Sequence, residues 1–243
     1  TKNIRNRIII SDIKKERLAY LTQKYGITSA ESNQKAIKES GIIIISVKPQ
    51  QVTDLLGEIS GYVKPHHLVI SVAAGITTSY IEKFLKDVSV IRTMPNTPVL
   101  VGKGMIVFCA GKFAKKSNGD FVRELFSPIG KVIHLDEKYF DAVTAISGSG
   151  PAYLFYLAEA MILAAKELGL DGISSRTLVK QTISGAAELM SLSKDEPGIL
   201  RYRVTSPGGT TESAIKYLEE NNFAAILKSA IKNAAKRSKE LTR

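Results

Sequence analysis

The sequence is short of several residue types and features, and each shortage excludes something. A single cysteine, Cys109, cannot pair within the chain, and its place in the apolar run MIVFCA reads as a small buried hydrophobe rather than a nucleophile. Three histidines, with no cysteine or carboxylate cluster at ligand spacing, give no metal site; His66 and His67 follow Pro65 and read as surface residues of a loop. No apolar run approaches the roughly 20 residues a membrane helix needs, and TKNIRNRIII lacks the apolar core and cleavage site of a secretory signal. The expectation is a soluble cytoplasmic protein that does not enter a membrane. There is neither an internal repeat nor a low-complexity linker.

What is present is 243 residues, 44% of them hydrophobic, enough to bury a core as one large or two modest domains. The net charge of +11 invites a nucleic-acid reading. Its sources are dispersed, however: Lys2, Arg5 and Arg7; Lys14, Lys15 and Arg17; Lys112, Lys115 and Lys116; then Lys228 to Arg243. The last set lies opposite an apolar stripe of Ile226, Leu227, Ala230, Ile231 and Ala234, so a solvated helix face, or attraction of a small anion, accounts for it better than nucleic acid.

Along the chain, RIIIS (7–11) reads as a strand and 12–25 as a helix stopped by Gly26. TSAESNQKAIKES gives a short helix, 41–47 a strand, 51–63 a helix, 67–74 a strand, 77–85 a helix and 89–94 a strand, followed by the β-rich runs GMIVFCAG and KVIHLD. Strands that are apolar throughout belong in a parallel sheet covered on both faces. The expected fold is therefore a doubly wound, Rossmann-like α/β domain over 1–136, then an all-helical domain over 137–243. The segment YFDAVTAISGSGPAYLFYLAEAMILAAKELGL is apolar on nearly every side and calls for a partner subunit; Pro151 should break it.

A nucleotide-binding α/β unit opens with a strand, a Gly-rich turn and a helix. This chain has no GxGxxG and opens on what reads as the second strand, so either the first βα unit lies outside it or the fold is not of this kind; in the first case residues 1–243 alone are expected to bind dinucleotide poorly. Asp12 could hold a ribose or cap the next helix; Lys14, Lys15 and Arg17 could receive a 2′-phosphate. Three loops at strand ends are candidate ligand loops: SVKPQ, SVAAGIT with its small Ala73, Ala74 and Gly75, and TMPNTP presenting Asn96 and Thr97 between prolines. In VTSPGGTTESAI, Ser206-Pro207-Gly208-Gly209 precedes a helix starting near Thr210 or Thr211, whose first N–H groups and dipole suit a carboxylate or phosphate. A threonine hydroxyl there can donate to a second ligand atom without competing for the anion. A capped helix after a Pro-Gly turn has the same sequence.

Taken in order, VKPQ, SVAAGIT, RTMPNTP, SGSGPAY and VTSPGGTT resemble the Δ1-pyrroline-5-carboxylate reductases, and the resemblance spans essentially the whole chain. It implies NAD(P)H-dependent reduction of a cyclic imine to L-proline, with NADPH as cofactor and NADH also admitted. It further implies self-association through the helical domain as a dimer, with a decamer admitted. Ser11 and Asn33 match positions on the adenosine side of the cofactor. Val47, Lys48, Pro49, Ala73, Ala74 and the adjoining Gly75 match its ribose and nicotinamide half, with Asn96, Thr97 and Pro98 nearby. Ser206, Gly208, Gly209, Thr210 and Thr211 would bind the substrate carboxylate, with the Thr211 hydroxyl beside the ring nitrogen as the catalytic group. Glu137 matches a substrate-contacting acid, or is an exposed carboxylate at a helix start. Arg203 departs from the small or amide residue expected before VTSPGG. Two other readings stand beside this one. One is a β-hydroxyacid dehydrogenase or imine reductase, which would use a lysine such as Lys180; the other is a non-catalytic basic nucleic-acid-binding protein.

Overall fold

A computed structural model of the chain describes residues 8–243, so Lys2, Arg5 and Arg7 lie outside the described residues. Two units emerge: the chain up to Gly148 together with Arg237–Arg243, and Ser149–Lys236.

The first unit begins with β1 (Ile9–Ile10), α1 (Lys15–Tyr25), β2 (Thr28–Ser29) and α2 (Asn33–Lys38). Gly26 ends α1 in the left-handed conformation, φ 65°, with its N–H on the Thr22 carbonyl. Residues 28–29, expected to start a helix, instead pair in parallel with β1, Ile9 opposite Thr28. The helix starts only after Ser32, whose Oγ accepts the Lys35 N–H and so fixes the cap there.

The main sheet runs β3 (Ile42–Ile45), β4 (Leu68–Ser71), β5 (Ser89–Met94), β6 (Gly104–Ala110) and β7 (Gly130–His134), in that order. β3, β4 and β5 are parallel, linked through α3 (Val52–Ile59) and α4 (Thr78–Glu82). β6 is antiparallel to β5, a departure from the all-parallel expectation. The link between them is a short loop around a 3-10 turn (Thr97–Val101), below the dozen or more residues of a crossover, so the chain must turn back. α5 (Lys116–Phe126) then returns β7 parallel to β6. Val52, Leu56, Ile59, Ile76, Ile81 and Leu85 cover one side of the sheet; Ile70, Ile91, Phe108 and Val122 form a second cluster.

Residues 137–148, placed in the helical domain from sequence, fold with the sheet unit. Phe140 and Val143 of α6 (Phe140–Val143) form a cluster with Val107 and Cys109 of β6, flanked by half-buried Met94, Met105 and Leu135. A π-helical turn (Thr144–Gly148) follows, and Pro151 sits in the first turn of α7 (Gly150–Glu167), where its missing N–H costs nothing. The second unit comprises α7, α8 (Gly172–Leu192), α9 (Pro197–Arg203), α10 (Thr210–Glu220) and most of α11 (Phe223–Leu241). It buries almost nothing by itself: Val179 is its one buried hydrophobic residue, while Phe155 and Tyr156 on α7 stay 63% and 74% exposed. Among the described residues no helix is long and apolar enough to cross a membrane.

One histidine contradicts the sequence reading. His67 is buried, and its Nδ1 accepts the Lys64 N–H at 2.8 Å. Burial, then the charge of neighbouring His66, holds its pKa below the ordinary histidine value. A depressed histidine pKa means that the unfolded chain takes up a proton the folded chain resists, so stability is full above about pH 6.5 and declines as pH falls below it. His67→Gln should flatten this decline, seen as a smaller shift of the urea midpoint between about pH 7.5 and 5.

Candidate functional site

In an open parallel sheet, ligands bind beyond the carboxyl ends of the strands. The loops after β3 and β4 meet at that edge around a cavity of about 160 Å³, lined by Pro49, Gln50, Ala74, Gly75, Thr144, Ser238, Leu241 and Arg243. Val47 packs against the core and aims the loop, Lys48 is exposed, and Pro49 begins the 3-10 turn that bends the chain aside. Ala73 is buried in the core, Ala74 is exposed, and Gly75 adopts φ 71°. A Cβ on Gly75 would also come within 2.9 Å of the Leu241 carbonyl, so both the conformation and the space exclude a side chain.

After β5, Asn96 is a strut. Its Oδ1 accepts the Met105 N–H at 2.8 Å and its Nδ2 donates to the Ser147 carbonyl at 3.0 Å, leaving Thr97 exposed and Pro98 half-buried at the start of the 3-10 turn. Ser11 follows β1 and Asn33 begins α2 after β2, so the two lie beyond the same ends of paired strands. The Asn33 amide donates to both Glu58 oxygens, at 3.2 and 3.1 Å. Asp12 accepts the Lys14 N–H at 2.8 Å, although the cap position of α1 itself belongs to Lys14.

Glu137 has a role that its sequence does not signal. Its Oε1 accepts from the Thr78 N–H at 2.8 Å and from Arg92 Nη1 at 3.0 Å, while Oε2 accepts from Thr78 Oγ1 at 2.8 Å. Arg92 is 3% exposed, and its guanidinium stacks over Phe140 at 4.5 Å. Both carboxylate oxygens are thus committed to pinning the start of α4. Burial, then the charge of Glu137, pushes the nearby Cys109 thiol up to about 12, which removes it as a nucleophile.

In the second unit, Ser206 to Thr211 form the turn leading into α10. Gly208 has φ 70°, its N–H donates to Glu212 Oε2 at 2.7 Å, and the Gly209 N–H donates to the Ser206 carbonyl at 3.0 Å. Gly209 is the cap residue and makes no side-chain bond, so the amides of Thr210 and Thr211 head the helix where intrahelical partners do not exist. Thr211 is half-buried. Arg203, a residue without a sequence rationale, pairs with Asp195 at 2.5 Å.

The sequence pattern of pyrroline-5-carboxylate reductase dimerisation matches residues 137–241, and that of coenzyme F420-dependent NADP oxidoreductases matches residues 2–75. A pyrroline-5-carboxylate reductase of Glycine max is 40% identical over 220 residues, 90% of this chain and 80% of the relative. The chain belongs to the pyrroline-5-carboxylate reductase family. The solved reductase of Coxiella burnetii superposes with a TM-score of 0.91 at 35% identity, covering 98% of this chain and 89% of that one. The Plasmodium falciparum enzyme, solved with NADP bound, gives 0.84 at 30% identity over 97% and 86%. The sheet unit is accordingly an NAD(P)-binding Rossmann-like fold and the helical unit a self-association domain, which explains a unit with so little core of its own.

At that edge Ala74 is exposed, Ala73 is buried in the core and Gly75 lies against Leu241. Sequence reasoning missed Thr78, Arg92, Ser238 and Arg243, since each acts through a partner distant in the chain. Only the lone arginine inside the apolar strand SVIRTM was a usable signal, because a buried charge demands a partner. Glu137→Ala should leave Arg92 buried and unpaired and lower unfolding free energy by roughly 3 kcal/mol, measured by chemical denaturation.

Proposed function

We propose that this chain reduces the C=N bond of 1-pyrroline-5-carboxylate to give L-proline, the last step of proline biosynthesis, in the cytoplasm. NAD(P)H, when bound, supplies the hydride. The observation that carries the substrate assignment is the uncapped start of α10. Gly208 and Gly209 spend their amides on Glu212 and Ser206, so Thr210 and Thr211 are the donors for the substrate carboxylate, aided by the positive end of the helix dipole. A glycine is needed at 208 for its left-handed φ, and Gly209 keeps the approach to the helix free of a side chain.

A protonated cyclic imine already accepts hydride readily, so the protein's task is to place its carbon and keep its nitrogen protonated. The Thr211 hydroxyl orients the ring nitrogen and relays a proton from water; with the ordinary acidity of an alcohol it is not the net acid. The half of the cofactor bearing the ring is assigned to Val47, Lys48, Pro49, Ala73, Ala74 and Gly75, with Asn96, Thr97 and Pro98 shaping the neighbouring wall. Ser11 and Asn33 belong to the adenosine side. Glu137 is assigned to holding Thr78 and Arg92, which leaves substrate contact to the α10 turn. Dimers formed through the helical unit are the assembly unit, with higher assembly up to a decamer part of the proposal.

The basic cluster on α1 favours NADPH. Asp12 bonds back to Lys14, while Lys14, Lys15 and Arg17, with Glu16 the one acid among them, border an open depression with Tyr20. Arg17→Ala should raise KM for NADPH about three- to tenfold, leaving KM for NADH within about twofold; steady-state kinetics with each cofactor decides. Thr211→Ala should lower kcat/KM about 5- to 150-fold, the range of a hydrogen bond to a charged group, and Thr211→Ser should recover most of it. A normal kcat in the alanine variant would remove Thr211 from the mechanism.

A further inference from the structure

The last turn of α11 folds back on the loop after β4. Arg243 N–H donates to the Gly75 carbonyl at 2.7 Å, and the Arg243 carbonyl accepts from both the N–H and the Oγ1 of Thr77, at 3.1 and 2.7 Å. Two backbone bonds around one residue make a strand-like bridge between the chain's final turn and residues 75–77. Leu241 closes over Gly75 so tightly that a Cβ there would clash with its carbonyl.

That turn is itself anchored. Ser238, 8% exposed, donates its hydroxyl to Asp141 Oδ1 at 2.7 Å, and Thr242 Oγ1 lies 3.4 Å from the same oxygen while bonding the Ser238 carbonyl at 2.9 Å. Asp141 stands on α6, which Phe140 and Val143 fix to the sheet. A continuous path therefore runs from sheet to α6 to Asp141, Ser238 and Arg243, ending on Gly75 and Thr77. Arg243 Nη1 adds a contact to Thr53 Oγ1 at 3.3 Å.

We infer that Asp141 and Ser238 are positioning residues for cofactor binding: they hold the carboxyl-terminal turn against Gly75–Thr77, and the turn holds the cofactor loop in its binding shape. The inference rests on the assignment of the loop after β4 to the cofactor. Asp141 does not line the cavity, and Ser238, which does, spends its hydroxyl on Asp141, so their effect falls on loop geometry and not on the reaction itself.

The test uses the full-length protein, with NADPH binding followed by fluorescence titration and imine reduction followed in parallel. Asp141→Ala and Ser238→Ala should each weaken NADPH binding about three- to tenfold, with KM for the imine unchanged. The double variant should be no worse than the stronger single one, because both remove the same bond. Asp141→Asn retains an acceptor oxygen and should restore NADPH affinity. Unchanged NADPH affinity in both alanine variants, equal weakening of imine and cofactor, or no recovery in the asparagine variant would each overturn the inference. If Asp141→Ala fails to fold, Ser238→Ala and Thr242→Val carry the same test. Lack of imine turnover by the unsubstituted protein would refute the proposed reaction, while the binding titration would still decide the role of this turn.

Discussion

The backbone of residues 75–78 is the constraint on which the site depends. Gly75 accepts from Arg243, Thr77 donates to Arg243 and caps α4 through its Oγ1, and Thr78 is held through both N–H and hydroxyl by Glu137. Ala73 and Ile76 pack in the core, but Gly75 has no side chain with which to hold its backbone. The shape of that backbone is imposed from outside by hydrogen bonds reaching from residues far along the chain. Remote anchors supply the rigidity that Gly75 itself cannot.

The ion pair of buried Arg92 with half-buried Glu137 belongs to the same arrangement. Desolvating two charges costs more than an exposed pair returns, so such a pair persists where its geometry does other work. Here it ties β5, the central strand of the main sheet, to the start of α4 and, through the Phe140 ring, to α6. The same α6 carries Asp141, so the charge pair and the carboxyl-terminal turn share one platform.

The helical unit presents the opposite situation. It has one buried hydrophobic residue and large aromatic and aliphatic side chains facing outward, so its stability must come from surface it covers in association. This is what its membership of a dimerisation family expresses in physical terms.

Local chemistry was largely legible in the sequence. Apolar runs placed β3, β4 and β5, Gly26 and Pro151 placed a helix end and a helix start, and the glycines of SPGGTT placed an open helix terminus at Thr210. These follow from backbone sterics and unpaired amides that act within a few residues. The sequence also carried enough ordered motifs to indicate the family. It did not reveal that β6 turns back against β5, that His67 is buried, that Glu137 is spent on Thr78 and Arg92, or that Arg243 bridges to Gly75 and Thr77. Each of these depends on which distant segments share space, and nothing local to His67 or Arg243 encodes that. Periodicity and propensity act over one or two turns of chain; partners for buried charges and for loop backbone are chosen only when the whole fold closes.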